Sequence, residues 1–432
     1  MTSHTTLLLL AATLSVAPAH RVDAQEKPAA ITSPTSSFFD RLNQQKSLFS
    51  EFRFLTGTEV QGNPQWRGMS AQMLGTSYSF LGRPNDAIRT FPIHDQRKTP
   101  EDFPDKAGFD AVSASDWIVT RADRYRAVMV NEAHHKPQTR LLTLLLLRKL
   151  KAHGYAYFAV EALVNDGKDP LADGVPTNRT GIYTREPIFA EIIREAKRLG
   201  YQLVPYETAA GPGETQQERE TGQAQAIAQV IANHPDAKVL VHAGYGHIGK
   251  TAGRMPDSAR PMAMEFVRLT GLPILSIDQT SMGWEDGQAS NRLATAFAIT
   301  VPSVLLRRDN ASAWSAHPGV YDATVLLPPA ETDALRPSWL KLGGIRHQVA
   351  IDLTPCLDHL PCLVEARYAS EGDDAIAADQ FLMLDRSELE TPLFLAPGKY
   401  RLRLTGRDDT VLTQQALDVV ASTPAPSSVA LP

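Results

Sequence analysis

One stretch decides the fold: Tyr125–Leu163, with the sequence YRAVMVNEAHHKPQTRLLTLLLLRKLKAHGYAYFAVEAL. Its first part, Tyr125–Asn131, is a compact and mostly apolar run, which predicts a buried strand. A proline in the first turn and a glycine after the last residue predict a helix over Pro137–His153. Tyr155–Leu163 is a second apolar run and predicts the next strand. A strand, a helix and a strand in this order are typical of a βαβ unit in a parallel sheet.

The same alternation of apolar runs and helical stretches continues further along the chain. More strands are predicted at Tyr201–Tyr206, Ala237–His242 and Pro273–Asp278. More helices are predicted at Pro187–Leu199, Glu214–Asn233 and Ser258–Thr270. The sequence therefore predicts an α/β fold, in which a mostly parallel sheet is flanked by helices.

The pattern changes after about Leu335, where short strand-like runs replace the helical period. In Lys399–Thr405, for example, Tyr400, Leu402 and Leu404 alternate with more polar residues, which is the period of a half-buried strand. We interpret this region as a small antiparallel β domain of the sandwich type. The full predicted division is a signal peptide (1–24), a flexible leader (25–37), a helical hairpin segment (38–95), an α/β domain (96–334), a β-sandwich-like domain (335–421) and a disordered tail (422–432).

Two features predict export to the periplasm or the medium. Leu7–Ala17 is an apolar run of 11 residues, which is too short to span a bilayer but suits a secretory signal peptide cleaved after Ala24. Five residues separate Cys356 from Cys362, and in an oxidising compartment such a pair is more typical of a local disulfide than of two free thiols. No cysteine follows the apolar run, so we expect no stable membrane anchor.

Composition excludes several classes of function. The chain has 43 Lys and Arg against 48 Asp and Glu, a net charge of −5, so nothing predicts a nucleic-acid partner. Two cysteines are too few for an all-cysteine zinc or iron–sulfur site. The sequence contains no G-x-S-x-G pattern, which disfavours a hydrolase with a serine nucleophile.

Polar residues recur where the five predicted strands of the α/β region end. The carboxyl ends of parallel strands meet at one edge of a sheet, and ligands bind in the crevice there. We therefore predict that these side chains form one site. Its members are Glu132, His134, His135, Glu161, Glu207, His242, Tyr245, His247 and Asp278. Because His134 and His135 are adjacent, extended backbone would point them in opposite directions, and one of the two is expected to face the site.

The loop Gly244–Thr251 (GYGHIGKT) matches both the dinucleotide fingerprint and the phosphate-binding loop pattern. Both patterns need a helix to begin directly afterwards, so that its N-terminus can hold phosphate. Gly253 and Pro256 argue against such a helix. We therefore interpret the glycines as a turn that lets the backbone approach a ligand or another strand.

The chemistry of a histidine and carboxylate cluster has two interpretations. Histidine and carboxylates are ligands for Zn, Mn, Fe or Ni. The same residues can also work without a metal, because a histidine acts as a general base while a glutamate orients it or supplies a proton. The sequence alone leaves both interpretations open.

The segment Val130–Leu163 resembles the superfamily that groups erythromycin esterase-like proteins, the haem-binding uptake protein ChaN and Tiki-type proteins. Its members carry a Gly-Glu-x-His or Gly-Glu-x-x-His signature after a strand, and a second strand that ends in Glu. Glu132 with His134 or His135 matches the signature, although Asn131 stands at the glycine position, and Glu161 matches the second strand. Later blocks of the family are similar to Arg219 and to Val241–His247, so the resemblance covers about residues 108–280.

The resemblance implies ester hydrolysis, haem binding or metal-dependent proteolysis at the strand ends. Our first hypothesis is an exported hydrolase that acts on an ester or amide bond of a small molecule or peptide. Its catalytic residues would be Glu132, His134, His135, Glu161 and His247, and its ligand-binding residues Glu207, Arg219, His242, Tyr245 and Asp278. If Zn or Mn takes part, its ligands would be Glu132, His134 and His247. The alternative is a protein that binds haem or another iron ligand through a histidine or Tyr245 without catalysis.

Overall fold

The computed structural model describes residues 34–92, 103–207, 213–253, 255–282, 288–331 and 334–420. The predicted signal peptide, most of the predicted leader and the predicted tail lie outside these residues. No described helix combines the length and the apolar character that crossing a membrane requires.

The N-terminal segment contains five helices, although the sequence predicted a hairpin. Helix formation begins at Pro34, four residues before the predicted start of the segment. The helices are α1 (Pro34–Asn43), α2 (Leu48–Thr56), α3 (Thr58–Gln61), α4 (Arg67–Phe80) and α5 (Pro84–Thr90). Local signals explain the extra breaks, because Ser47 and Ser50 form a capping box at the start of α2 and a proline opens α5.

The centre of the molecule is an eight-stranded sheet with the order β1-β7-β8-β6-β2-β5-β3-β4. All pairs formed between β2, β3, β4, β5, β6 and β8 are parallel. Strand β7 pairs antiparallel with β8 and with β1. The strands are β1 (Phe109–Ser113), β2 (Ala127–Glu132), β3 (Tyr155–Val160), β4 (Gln202–Pro205), β5 (Lys238–Gly244), β6 (Ile274–Asp278), β7 (Ser303–Arg307) and β8 (Ala323–Leu326). The predicted α/β fold with a mostly parallel sheet is confirmed, while β1, β7 and β8 were not predicted.

Helices cover both faces of this sheet. They are α6 (Ala114–Ala122), α7 (Leu141–Ala152), α8 (Pro187–Arg198), α9 (Gln216–Asn233), α10 (Met262–Thr270) and α11 (Gln288–Ala296). Successive residues of a strand point to opposite faces. In β2, Val128 and Val130 pack in the core beneath α6, α7 and α8, and Ala127 and Met129 pack in the core beneath α9 and α10. The leucine-rich helix α7 is buried on the sheet, as its apolar surface predicted.

The C-terminal region is antiparallel, as predicted. One sheet has the order β11-β10-β13-β14, and a two-stranded sheet pairs β12 with β9. The strands are β9 (His347–Val349), β10 (Cys362–Tyr368), β11 (Asp379–Met383), β12 (Leu393–Leu395), β13 (Gly398–Thr405) and β14 (Val411–Val419). Side chains of both sheets share one core, where Tyr400, Leu402 and Leu404 are buried. The Cys356–Cys362 disulfide borders this core.

The remaining regular elements are short 3₁₀ turns between the strands and helices. Two of them lie at the strand-end edge of the large sheet, at Pro137–Arg140 and Tyr183–Arg185. The others are Pro256–Ser258, Ser338–Gly344, Thr354–Cys356 and Arg386–Glu388. The two turns at the sheet edge contribute side chains to the cluster described next.

Candidate functional site

The carboxyl ends of β2, β5 and β3 lie side by side in the centre of the sheet. Glu132 pairs in register with Gly244, and Val160 pairs with His242. The backbone of Glu161 then donates a hydrogen bond to the carbonyl of His242 at 3.2 Å. The parallel register thus places the predicted Glu132 and Glu161 on either side of the end of β5.

Glu132 and His134 form a hydrogen-bonded pair that Arg140 completes. Nδ1 of His134 lies 2.8 Å from Oε1 of Glu132, and Nε of Arg140 donates to Oε2 at 2.6 Å. Burial opposes the charge on Glu132, but the guanidinium of Arg140 and the hydrogen bond of His134 hold the pKa of this carboxyl well below its usual range. An ionised Glu132 can only accept from Nδ1 of His134, so in the neutral form of this imidazole Nε2 is the acceptor nitrogen.

Arg140 is fully buried and has a second carboxylate partner, Glu186. Its Nη1 donates to Oε2 of Glu186 at 2.9 Å, and its Nη2 donates to the carbonyl of His134 at 3.0 Å. Glu186 also accepts hydrogen bonds from the backbone of Ile188 and Phe189, so that it caps the N-terminus of α8. The orientation of Glu132 therefore depends on where α8 begins.

The imidazole of His134 is fixed on both sides. One face stacks on the ring of Tyr183, with centroids 3.8 Å apart, and the edge of Tyr245 meets it at 4.9 Å. A Cβ atom on Gly244 would lie 2.6 Å from Nε2 of His134 and 3.2 Å from Oε2 of Glu161. Only a glycine at this position lets the catalytic candidate approach the end of β5 so closely. Among the described residues, Nε2 of His134 has no hydrogen-bond partner.

Glu161 connects this pair to a second charged cluster. Oε2 of Glu161 accepts a hydrogen bond from the backbone of Gly244 at 2.5 Å, and Nη2 of Arg219 lies 3.1 Å from Oε1. Arg219 also binds both carboxylate oxygens of Glu207. Burial favours the neutral form of Glu161, yet His247 and Arg219 outweigh it and lower its pKa to about 2. Burial and the nearby charge of Glu161 raise the pKa of Glu207.

The second cluster contains another histidine–glutamate pair. Nδ1 of His247 lies 2.8 Å from a carboxylate oxygen of Glu220, and Nε2 faces Nη1 of Arg219 at 3.2 Å and Oε1 of Glu161 at 3.7 Å. Glu220 is fully buried, and it also accepts from the backbone of Met262. Burial opposes protonation of His247, but Glu220 and Glu161 raise its pKa above that of a free imidazole.

Two of the predicted histidines, His242 and His135, lie outside the Glu132–His134 pair. His242 lies beneath the site, where Nδ1 contacts Thr143 at 2.9 Å and Nε2 is 4.0 Å from Oε2 of Glu132 without a hydrogen bond. His135 turns away from Glu132, stacks on Phe91 and bonds the hydroxyl of Tyr245 at 3.1 Å.

Asp278 lies outside the histidine and carboxylate cluster. It accepts hydrogen bonds from Asn131 at 3.0 Å and from Thr280, and Asn131 in turn donates to the carbonyl of Tyr245 at 2.8 Å. Asn131, which stands at the glycine position of the Gly-Glu-x-His signature, is therefore a buried residue that holds the loop after β5 in place by hydrogen bonds. Asp278 thus contacts the loop after β5 indirectly, through its hydrogen bond with Asn131.

The predicted metal ligands do not form a metal site. In the part of the chain that the structure describes, no group of three His, Cys, Asp or Glu residues is arranged to hold a metal ion. One oxygen of Glu132 binds His134 and the other binds Arg140, while His247 is held by Glu220 of α9. The carboxylates are already neutralised by arginines, so the donor set does not fit Zn or Mn.

Two of the candidate haem ligands, His135 and Tyr245, are engaged with each other. His135 and Tyr245 share a hydrogen bond, and the ring of Phe91 covers one face of His135 at a centroid distance of 4.0 Å. Burial lowers the pKa of His135 to about 3. These contacts describe packed side chains, which do not fit an axial ligand for iron.

Sequence reasoning missed Arg140, Tyr183, Glu186 and Glu220. Arg140 follows the signature at the start of the predicted helix, so its place beside Glu132 had a local signal. Glu186 immediately precedes Pro187, which is a typical arrangement for a helix N-cap. Tyr183 lies in a long loop and Glu220 in a helix, and nothing in their local sequence indicates the contacts with His134 and His247.

The glycine-rich loop forms a turn, as interpreted from the sequence. The next α-helix begins only at Met262, and Lys250 forms an ion pair with Asp322 at 2.6 Å. In the described residues after the loop, no helix N-terminus follows directly to bind a phosphate group.

No family model matches the chain, and no curated protein matches it. Among solved structures, the type III effector HopBA1 is similar at 18% identity with a TM-score of 0.28, over 44% of this chain and 90% of that chain. Two structures described as bacterial protein toxins are 14% and 12% identical, with TM-scores of 0.29 and 0.25. The matches cover 58% and 57% of this chain but only 47% and 46% of the length of the two toxin chains. TM-scores this low carry no argument about function.

Proposed function

We propose that this protein is an exported hydrolase that cleaves an ester or amide bond of a small molecule or peptide without a metal. The observation that carries the proposal is the Glu132–His134 pair. Glu132 holds Nδ1 of the imidazole, and Nε2 has no hydrogen-bond partner among the described residues and borders Glu161 at the strand ends. The Cys356–Cys362 disulfide supports export, because such bonds persist in oxidising compartments.

In the proposed reaction, Nε2 of His134 takes a proton from water while the water oxygen attacks the carbonyl carbon. The ionised Glu132 stabilises the imidazolium that forms. Arg219, which lies next to Glu161, supplies positive charge for the developing oxyanion. His247 holds its proton more tightly than a free imidazole and donates it to the leaving oxygen or nitrogen as the bond to the acyl carbon breaks.

The central test is His134→Asn, measured on a panel of p-nitrophenyl esters and acyl anilides. Loss of the base should lower kcat/KM by about 10²–10⁴-fold. His153→Asn is the matched control, because His153 also pairs with a carboxylate, Asp123, but lies at the opposite end of β3. Activity of His134→Asn within tenfold of the wild type would contradict the assignment.

A second test separates the metal-free mechanism from a metal-dependent one. Prolonged dialysis against EDTA should leave kcat/KM unchanged, because the carboxylates of the site are neutralised by arginines. Loss of activity that added Zn or Mn restores would contradict the metal-free mechanism while leaving the hydrolase proposal in place.

A further inference from the structure

We propose that a second cavity, remote from the strand-end cluster, binds a small molecule through a single carboxylate group. The cavity has a volume of about 180 Å³. It is lined by the N-terminal end of α2, by the segment around Asn178 and Arg185, and by the outer face of the β10–β13 sheet. None of its lining residues belongs to the strand-end cluster of Glu132, His134, Glu161, Arg219 and His247. Cavities at junctions between domains are common ligand sites.

The acidic side chains of the cavity are already neutralised. Each of them forms an ion pair with an arginine: Glu365 with Arg367, Asp373 with Arg401, Asp374 with Arg179 and Asp409 with Arg53. Arg185, which also lines the cavity, pairs with Glu51 at 2.7 Å. Internal pairing thus accounts for every carboxylate that lines the cavity.

Arg403 remains without such a partner. It is half-buried in the wall of the cavity, its Nε has no hydrogen-bond partner, and it forms no ion pair with any residue that the structure describes. Its cross-strand neighbour is Glu365, which is 5% exposed and could neutralise it, but the carboxylate of Glu365 binds Arg367 instead. A partly buried guanidinium without a counter-ion is unfavourable unless a ligand supplies one.

Two further groups in the wall favour an anion. Thr405, two residues after Arg403 on the same face of β13, is 6% exposed, and its Oγ1 has no hydrogen-bond partner. Ser47 and Leu48 place the N-terminus of the nine-residue helix α2 at the cavity, where the helix dipole favours negative charge.

The charge of the wall selects a monoanion. Lys46 also lines the cavity, but it is exposed, so water solvates its ammonium group and Arg403 is the partly buried cation that lacks a counter-ion. One such guanidinium matches one carboxylate, which it can bind with two parallel hydrogen bonds. A dianion such as phosphate or sulfate would place its second charge near Glu365, Asp373 and Asp409. A volume of about 180 Å³ suits a small organic acid, about the size of lactate or an amino acid.

The test is isothermal titration calorimetry of the full chain with acetate, lactate and glycine, and separately with phosphate and sulfate, in buffers matched for ionic strength with chloride. We expect saturable binding of at least one of the monocarboxylates, with affinity at least tenfold higher than for either dianion. Absence of saturable binding by all three monocarboxylates, or tighter binding of phosphate or sulfate, would overturn the proposal.

Two arginine variants on one strand then locate the binding. Arg403→Gln should raise the Kd of the bound carboxylate at least tenfold, and Arg403→Lys should fall between it and the wild type. Lys399→Gln is the matched control, because Lys399 lies on the same face of β13 and carries the same charge, but it is exposed and does not line the cavity. Circular dichroism and thermal melting verify that each variant folds. Equal Kd values for wild type and folded Arg403→Gln would overturn the assignment of the cavity.

Discussion

At Gly244, the packing of His134 leaves no room for a side chain. An added Cβ would lie 2.5 Å from Cε1 of His134, and that imidazole is stacked on Tyr183 and has little room to retreat. We expect Gly244→Ala to lower kcat/KM on an active ester at least tenfold and the free energy of unfolding by about 1–3 kcal/mol. Steady-state kinetics and urea unfolding measure the two effects.

The control for this substitution is Gly68→Ala in α4, where an added Cβ would meet nothing within 4 Å. In an exposed helix, alanine stabilises by about 0.5–1 kcal/mol relative to glycine, so this variant should keep full activity and gain slight stability. Full activity of Gly244→Ala would show that His134 does not need its observed position.

His242 makes the stability of the fold depend on pH. Burial lowers its pKa to about 4, so the folded protein holds it neutral while the unfolded chain protonates it near pH 6.5. Above pH 6.5, His242 is neutral in both states and does not change the free energy of unfolding. As the pH falls from 6.5 towards 4, protonation of His242 in the unfolded chain lowers the free energy of unfolding. Between pH 7 and pH 4.5 the wild type should lose about 2–3 kcal/mol more stability than His242→Asn, which keeps a partner for Thr143.

Urea unfolding at both pH values measures this difference. Other buried groups that titrate at low pH, such as His135, remain in both proteins and cancel in the comparison. The same pH dependence in wild type and His242→Asn would contradict the role of His242.

At the scale of elements, the start of α8 links helix formation to the site. Glu186 caps α8 and binds Arg140, which in turn orients Glu132. Glu186→Ala removes the cap and one counter-ion of a fully buried guanidinium. We expect it to destabilise the fold by about 2–4 kcal/mol, and to lower kcat more than it changes KM, because Glu132 loses its fixed orientation.

The N-cap of another helix on the same sheet provides the control for Glu186→Ala. The Ser113 side chain accepts a hydrogen bond from the backbone of Asp116 at the start of α6, away from the proposed catalytic side chains. Ser113→Ala should cost about 1 kcal/mol and leave kcat unchanged. If both cap variants retained the kcat of the wild type, Glu186 would be a structural residue only.

At the scale of the whole molecule, the N-terminal helices are joined to the C-terminal β domain. The chain after α4 runs along β11, where the backbone of Leu382 donates to the carbonyl of Leu81 at 2.9 Å and Arg336 donates to that of Gly82. An added Cβ on Gly82 would lie 1.8 Å from the carbonyl oxygen of Gln380. Gly82→Ala should therefore separate the two regions and destabilise the protein by about 3 kcal/mol or more.

Gly154→Ala isolates the part of this effect that comes from the backbone. Gly154 also has a positive φ, +82° against +67° at Gly82, but its added Cβ would meet nothing within 4 Å. It should cost about 1–2 kcal/mol from backbone strain alone. Equal destabilisation by the two variants in urea unfolding would show that the contact between the regions contributes nothing.

The parts of the fold that the sequence could predict are those with strong local signals. β2, β3 and α7 lie close to their predicted bounds, because a buried strand in a parallel sheet reads as a continuous apolar run. The short edge strand β1 escaped prediction, because exposed residues interrupt it and its pairing with β7 is decided almost 200 residues away. The sequence predicted helical structure in the N-terminal segment but not its division into five helices, because the helix ends depend on caps within a continuous helical pattern.

The sequence by itself determined the α/β fold and the edge of the sheet at which the polar residues meet. The strands carry their own burial signal, and a parallel sheet brings all of their carboxyl ends to one edge. Only the tertiary structure decided which side chains pair. It turned His134 rather than His135 towards Glu132, and it brought Glu220 to His247. The physical reason is that the partners of a buried charge are set by the packing of elements distant in sequence, here α8 and α9 against the ends of β2, β3 and β5.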